Sequence, residues 1–362
     1  MKMDVSGVRT CLVIGRGPSV LKPSMFLPST DVVIKCKRAM QNMEHVPDKC
    51  DYLAVWFGEL FKKQYKYLHK DRSIVDASFL IFDSHNQGSV VDKYAVKNNS
   101  IVMDREYLRR MCSEHSLDMH PKKSNLPTTG LVTIFEALRV FSLPVYIKGF
   151  DAMMDCDQSS KQFDDSYHPV IRCHNIQKEH QILQRLIKDY KVVCIDRYQP
   201  FFILVGNSTS IMGGGYGSFI DSFQHVVRFN DVKYELPHED LGSRTTHHVI
   251  NDDIFTSHRR PFKTGVAQIV YNAGKKPILS EFHTEFKQTR HTDKKLSTGV
   301  AYLLNLLESG EQMVHIINFD FCKDKDKAHY FNNESAHSCH DWNFESDLVN
   351  ELINDSRCVR HQ

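Results

Sequence analysis

Two α/β units in tandem, each built on a parallel sheet, is the fold class that this sequence predicts. Three observations carry it. Short apolar runs of strand length end in tight glycine turns: Thr10 to Ile14 enters Gly15-Arg16-Gly17-Pro18-Ser19, and Phe201 to Val205 enters Gly206-Asn207-Ser208. The same grammar is written twice: Gly130 and Gly299 lie 169 residues apart, Asp151 and Asp320 also 169, and His174 and His340 166. Such a nearly constant offset marks an internal duplication, and loop insertions in the first half would explain why Gly15 and Gly206 lie 191 apart. Finally, 362 residues with 41% hydrophobic and 25% charged content are enough for two globular cores of ordinary size. The expectation is two tandem Rossmann-like domains, 1–198 and 199–362, with the boundary near Asp196 to Pro200.

In the first half, Asp31 to Lys35 and Tyr52 to Trp56 follow as strands, and residues 58–75 read as a helix with a basic, solvated face. A helix opens at Pro127-Thr128-Thr129-Gly130, with threonine as cap and Val132, Phe135 and Leu138 on its apolar face. Val145 to Phe150 is a strand that closes on Asp151. His174 and Glu179 go with a last helix, Gln177 to Lys188, ahead of the strand Lys191 to Ile195.

The second half repeats the order. After Gly206-Asn207-Ser208 comes a glycine cluster, Gly213 to Gly215 plus Gly217, then the strand His225 to Phe229, which ends in Asn230-Asp231. Gly242-Ser243-Arg244-Thr245-Thr246-His247 adds a dense set of hydrogen-bonding groups. Ser297-Thr298-Gly299 opens a helix, the strand His315 to Phe319 closes on Asp320, and His340 and Glu345 open the terminal helix. A tight turn after a strand brings backbone N–H groups close to a ligand and suits phosphate. Asn230-Asp231 stands at a strand end, where α/β sheets keep their ligands. Asp151 and Asp320 end equivalent strands and are expected to be structural, bound to a neighbouring helix N-terminus.

Composition excludes several classes. With 46 Lys+Arg against 44 Asp+Glu, the net charge of +2 gives no reason to expect nucleic acid. No apolar run approaches the length of a membrane-spanning helix. The opening MKMDVSGVRTCLVIG carries an early acidic residue and runs straight into a strand, unlike a signal peptide. Arg259-Arg260 and Lys275-Lys276 offer at most peripheral contact with a membrane. The 10 cysteines are scattered, mostly in apolar runs, as buried thiols in a reducing compartment would be. A cytoplasmic location is expected. Cys322, His329, His337, Cys339 and His340 cluster, but their spacing fits no common zinc finger. No metal and no cofactor are expected.

The order GNS, GxGYG, ID, VVRFN, DLGSRTTH across residues 203–250 resembles the long donor-binding motif of the sialyltransferases. The later motifs of that family are matched in order by Ser297-Thr298-Gly299, His329-Tyr330 and His340-Asp341-Trp342-Asn343-Phe344-Glu345. The resemblance implies a CMP-sugar glycosyltransferase. Its donor would contact Gly206, Asn207, Ser208, Asn230, Ser297, Thr298, Gly299, His329 and Tyr330, and His340 would be the catalytic base. The first half is a weaker copy: its GRGPS turn is closer to bacterial sialyltransferases, with Arg16 where that group has Asn. The C-terminal half is therefore expected to bind the donor and the N-terminal half mainly the acceptor. Two Rossmann-like domains facing across a central cleft would be the GT-B arrangement of glycosyltransferases.

Departures count too. The cysteine pair that links the long and short motifs of the animal enzymes is missing, with Phe202 and Ile203 before GNS and Asp293 to Leu296 before STG. The two-domain plan resembles the bacterial retaining β-Kdo transferases of lipopolysaccharide and capsule synthesis, in which a carboxylate forms a covalent sugar adduct. Asp231 is the candidate for that role here.

Two reactions follow. Architecture and Asp231 favour CMP-Kdo as donor, with retention and transfer to a bacterial surface glycan or glycolipid. Motif identity favours CMP-sialic acid with inversion, His340 taking the acceptor proton (or, near the helix start, binding the phosphate) and Glu345, one turn on, positioning or capping. His258, His247 and His248 are further proton-handling candidates. A third reading is a CMP-sugar-binding module without turnover.

Overall fold

The structure is a computed structural model that describes residues 10–26, 28, 30–36, 45, 47–56, 78–82, 92–93, 100–117, 126–141, 143–156, 174–230, 237–251, 266–272, 284–287, 295–321 and 340–361. The chain divides into two compact units, Met1–Arg197 and Tyr198–Gln362. Each is a parallel α/β sheet, as the apolar runs and glycine turns require.

Unit 1 contains β1 (Cys11–Ile14), a single 3-10 turn (Pro18–Leu21), β2 (Val32–Cys36), β3 (Tyr52–Trp56), β4 (Ser78–Phe82) and β5 (Ile101–Val102). There follow α1 (Arg105–Glu114), α2 (Thr129–Val140), β6 (Val145–Lys148), α3 (Asp151–Met154), α4 (Ile176–Lys188) and β7 (Val192–Cys194). Unit 2 contains β8 (Gln199–Val205), α5 (Gly217–Asp221), β9 (Phe223–Phe229), α6 (His238–Leu241), β10 (His247–Asn251), β11 (Ala267–Asn272), β12 (Thr284–Lys287), α7 (Thr298–Glu308), β13 (Val314–Ile317), α8 (Trp342–Asn354) and β14 (Cys358–His361).

Both sheets are seven-stranded and follow one path, β5-β4-β3-β2-β1-β6-β7 and β12-β11-β10-β9-β8-β13-β14. Every pairing is parallel. Parallel strands need crossovers and become covered on both faces, so their sequences read as continuous apolar runs. Cys11 to Ile14 are accordingly fully buried, and so are Val226 and Val227. In each unit the strand order reverses beside the first strand, at β1/β6 and at β8/β13. Loops leaving neighbouring strands at such a switch point diverge to opposite faces and open a crevice at the strands' C-terminal ends.

The helices over the sheets were visible as caps and apolar periodicity. Thr128 caps α2 by accepting from the Leu131 N–H at 3.2 Å, and Ser297 caps α7 by accepting from Val300 at 3.5 Å. Beyond the caps both helices are apolar nearly all round, the mark of a helix enclosed in a core. Leu131 to Ala137 are buried in α2, and Val300, Ala301, Tyr302, Leu303 and Leu304 in α7. Helix α7 packs on β10, β11 and β13, and α2 on β1, β2, β3 and β6.

Several boundaries shift. The terminal helix starts at Trp342 with Asp341 as its cap, so His340 lies just before it. The strands expected to reach Phe150 and Phe319 stop at Lys148 and Ile317, because Gly149 (φ 74°) and Asn318 (φ 65°) turn left-handed. Strand β8 begins at Gln199, and its register with β9 is irregular between Gln199 and Phe202. Pro200 lies within that stretch and has no N–H for the ladder. The expected helix at 58–75 lies outside the described residues.

Among the described residues no helix is long and apolar enough to cross a membrane. Nor does any group of three or more His, Cys, Asp or Glu side chains there form a potential metal site. Cys11, Cys36, Cys50, Cys112, Cys194 and Cys358 are buried thiols outside any disulfide, and Cys156 is an exposed one.

Candidate functional site

The crevice of unit 2 is framed by the ends of β8, β9 and β13, the start of α7 and the approach to α8. Gly206 follows β8 and must be glycine, because a Cβ there would overlap the backbone carbonyl of Asn318. The Asn318 side chain closes the same contact, its Nδ2 donating to the Gly206 carbonyl at 2.9 Å and the Ser208 carbonyl at 2.6 Å. The Ser208 hydroxyl donates to the Asp320 carboxylate, and the Ser210 hydroxyl to Asn318 Oδ1 at 3.0 Å. Asp320 therefore binds the serine of the glycine turn rather than a helix N-terminus. Its counterpart Asp151 accepts from the Ser19 N–H at 3.1 Å, within the 3-10 turn, and the Ser19 hydroxyl lies between the carboxylates of Asp151, at 2.8 Å, and Asp196.

Asn207 donates through Nδ2 to the Phe229 carbonyl at 3.1 Å, tying the first turn to the end of β9. Asn230 sits at φ 54°, a left-handed position that asparagine tolerates better than most residues. Its Oδ1 accepts from Asn251 N–H at 3.2 Å, its Nδ2 lies 3.5 Å from Thr298 Oγ1, and its carbonyl lies 2.6 Å from His248 Nε2. A carbonyl only accepts, so His248 donates through Nε2. Its work is to hold Asn230.

At the start of α7, Ser297 donates its N–H and hydroxyl to the two oxygens of Glu345, at 2.7 and 2.6 Å. Burial pushes Glu345 up to about 7, against the pull of these two bonds. Glu345 is thus neither a surface residue nor chiefly the partner of His340: it holds the short motif, with His340 Nδ1 3.9 Å from its Oε1. His340 instead lies 2.9 Å through Nδ1 from the Lys295 carbonyl. Because that oxygen can only accept, the neutral ring carries its proton on Nδ1, and Nε2 is the basic nitrogen. The ring also packs on Trp342, with centroids 4.9 Å apart.

The long motif is largely its own scaffold. Gly213 and Gly215 give their N–H groups to Asp240 at 2.8 and 2.9 Å, and these bonds hold Asp240 below the usual carboxylate range. The expected use of that glycine cluster as a phosphate cradle is corrected accordingly, since two of its amides are already occupied. Arg228, fully buried, donates to the carbonyls of Leu241, Gly242 and Arg244, and Asp221 accepts from Ser243 and Arg244. His247 begins β10 among the rings of Phe202 and His225, and burial lowers it to about 4. It takes no part in the crevice.

Of the residues singled out in the sequence, this network joins Gly206, Asn207, Ser208, Asn230, Ser297, Thr298, Glu345 and His340. Gly299 belongs with them, since a Cβ there would lie 2.7 Å from the Phe319 ring. Asp231, His258, His329 and Tyr330, and the cysteine–histidine cluster apart from His340, lie outside the described residues. Sequence reasoning missed Asn318. Its signal was the pair Gly149-Phe150-Asp151 and Asn318-Phe319-Asp320: glycine and asparagine are the residues that best tolerate φ above zero.

Residues 203–276 match the family model of glycosyltransferase family 29 (sialyltransferase). Two curated relatives are the CMP-N-acetylneuraminate-beta-galactosamide-alpha-2,3-sialyltransferase 2 proteins of Mus musculus and Rattus norvegicus. Each is 44% identical over 45 residues, 12% of this chain and 13% of the relative. The chain thus matches about an eighth of these relatives' length. Among solved structures, a mammalian sialyltransferase with Gal-beta-1-3GalNAc-ortho-nitrophenol is similar at TM-score 0.35 and 19% identity, over 46% of this chain and 70% of that one. CstII from Campylobacter jejuni with CMP-3FNeuAc is similar at TM-score 0.39 and 18% identity, over 52% of this chain and 82% of that one. Within unit 2, the stretch 203–276 is sialyltransferase-like.

Proposed function

We propose that this chain is a CMP-sugar-dependent glycosyltransferase that moves sialic acid from its CMP ester to a glycan hydroxyl with inversion. The observation that carries the mechanism is the bond from His340 to the Lys295 carbonyl. It fixes the ring with Nε2 basic, and the protonated ring formed in the reaction keeps that carbonyl as partner. The acceptor hydroxyl gives its proton to Nε2 as its oxygen attacks the anomeric carbon. The bond to the CMP phosphate breaks, and the electron pair leaves with CMP. The N-terminus of α7, behind Ser297-Thr298-Gly299, carries positive partial charge suited to that phosphate.

The family match over 203–276 and the named relatives favour sialic acid over Kdo as the sugar. In the test, the full chain is incubated with CMP-sialic acid and, separately, with CMP-Kdo generated in situ, with galactose-terminated acceptors. CMP release and product mass are followed. His340→Ala is expected to slow transfer roughly 10²–10⁴-fold with an unchanged melting profile. Turnover of CMP-Kdo alone, with a covalent sugar adduct that Asp231→Asn abolishes, would overturn the proposal.

A further inference from the structure

Several of the contacts that build the crevice of unit 2 recur in unit 1. Thr128 donates its N–H and hydroxyl to Glu179 at 2.8 and 2.7 Å, as Ser297 does to Glu345. Burial pushes Glu179 up to about 8, matching the rise at Glu345. His174 lies 2.7 Å through Nδ1 from the Leu126 carbonyl, two residues before the capping threonine, as Lys295 stands two before Ser297. The same logic therefore puts the ring proton of His174 on Nδ1. Gly15 meets the backbone of Gly149 as Gly206 meets that of Asn318, and a Cβ at Gly130 would lie 2.7 Å from the Phe150 ring, as at Gly299 and Phe319. A serine of the turn meets the aspartate in each unit, Ser208 with Asp320 and Ser19 with Asp151, although Ser19 stands four residues after Gly15 rather than two and also meets Asp196.

The carboxylate clamp orders a helix start, but burial of a core needs no histidine with a fixed tautomer. Unit 1 keeps both, at the corresponding places of its own seven-stranded sheet. The main substitution changes charge: the residue after the first glycine is Arg16 instead of Asn207. A guanidinium there adds a charge-assisted donor for phosphate oxygens, which an amide does not.

We propose that unit 1 is a second nucleotide site, in which the ends of β1 and β6 and the starts of α2 and α4 receive the phosphate of a nucleoside monophosphate or its sugar ester. Arg16 binds the phosphate, and His174 lines the site. This rests on the reading of unit 2 as the donor half and goes beyond the acceptor role expected of unit 1 from the sequence.

Calorimetric titration of the full chain with CMP tests it by stoichiometry. Two equivalents are expected for the wild type. Arg16→Ala and His174→Asn should each weaken one class at least tenfold and leave the other, while Asn207→Ala should do the converse. Asn at 174 can still donate to the Leu126 carbonyl, and melting curves of both unit 1 variants separate lost binding from lost fold. One equivalent, removed by Asn207→Ala and untouched by both unit 1 substitutions, overturns the second site and spares the donor reading of unit 2. One equivalent removed by Arg16→Ala alone does the reverse. No binding of CMP overturns both.

Discussion

Glu345 grips Ser297 across 48 residues of chain, taking both its N–H and its hydroxyl on one buried carboxylate. The pair fixes where α7 starts and what lies over it. Glu345→Ala would strand two buried donors, a loss of about 1–3 kcal/mol for each group left without a partner. Glu345→Gln keeps one acceptor oxygen and should fall in between. Thermal melts of unit 2 check the order wild type, Gln, Ala. A Gln variant less stable than Ala would mean that the clamp is not what orders this helix start.

The same carboxylates set a pH dependence. Burial raises Glu345 to about 7 and Glu179 to about 8, above the roughly 4.3 of an unfolded chain. The folded state thus keeps protons that the unfolded state has lost. This contribution is complete below about pH 4.3 and disappears as pH rises through 7 to 8. Urea midpoints measured from pH 5 to 9 should fall for the wild type and flatten in Glu179→Gln and Glu345→Gln.

On the acid side the sign reverses. His315 Nδ1 lies 2.9 Å from His361 Nε2, with the rings stacked beside Phe223. Burial lowers His361 to about 4 and His315 well below its ordinary value. The unfolded chain takes these protons first, near pH 6.5, so the stability is complete above that and is lost as pH falls toward 4. For His361 the loss is about 3 kcal/mol by pH 4. The chain's 2 tryptophans fall one in each unit, so Trp342 fluorescence in a Trp56→Phe background follows unit 2 alone. An acid transition that His361→Phe leaves unshifted would count against the pair.

Gly206→Ala should be among the most damaging single substitutions in unit 2. The added methyl would meet the Asn318 backbone, which is itself fixed by its side-chain bonds. Overpacking of this kind costs about 1–3 kcal/mol. A melting temperature within error of the wild type would show that the turn yields.

Asn318 separates conformation from bonding. Asn318→Gly keeps the left-handed backbone and loses the three side-chain bonds. Asn318→Ala loses the bonds and adds about 1–2 kcal/mol of backbone strain. The expected order of stability is wild type, Gly, Ala, measured by urea denaturation.

By itself the sequence determined whatever is written locally or repeated. The apolar runs announced the strands at β1, β3 and β9, the capping threonine and serine placed α2 and α7, and the offset of 169 exposed two copies of one plan. Asn207, Asn230, Ser297 and His340 were singled out through the family resemblance, and each stands at a strand end or beside a helix start. What a side chain binds was not legible. Glu345 turned out to serve Ser297, Asp240 the glycines of the long motif, and His247 an aromatic pocket. Each of those partners lies 20 or more residues away, brought near by the parallel crossovers. Spacing along the chain reports turns, caps and faces; hydrogen bonds between the ends of different strands exist only once the sheet order β8-β13 has been set.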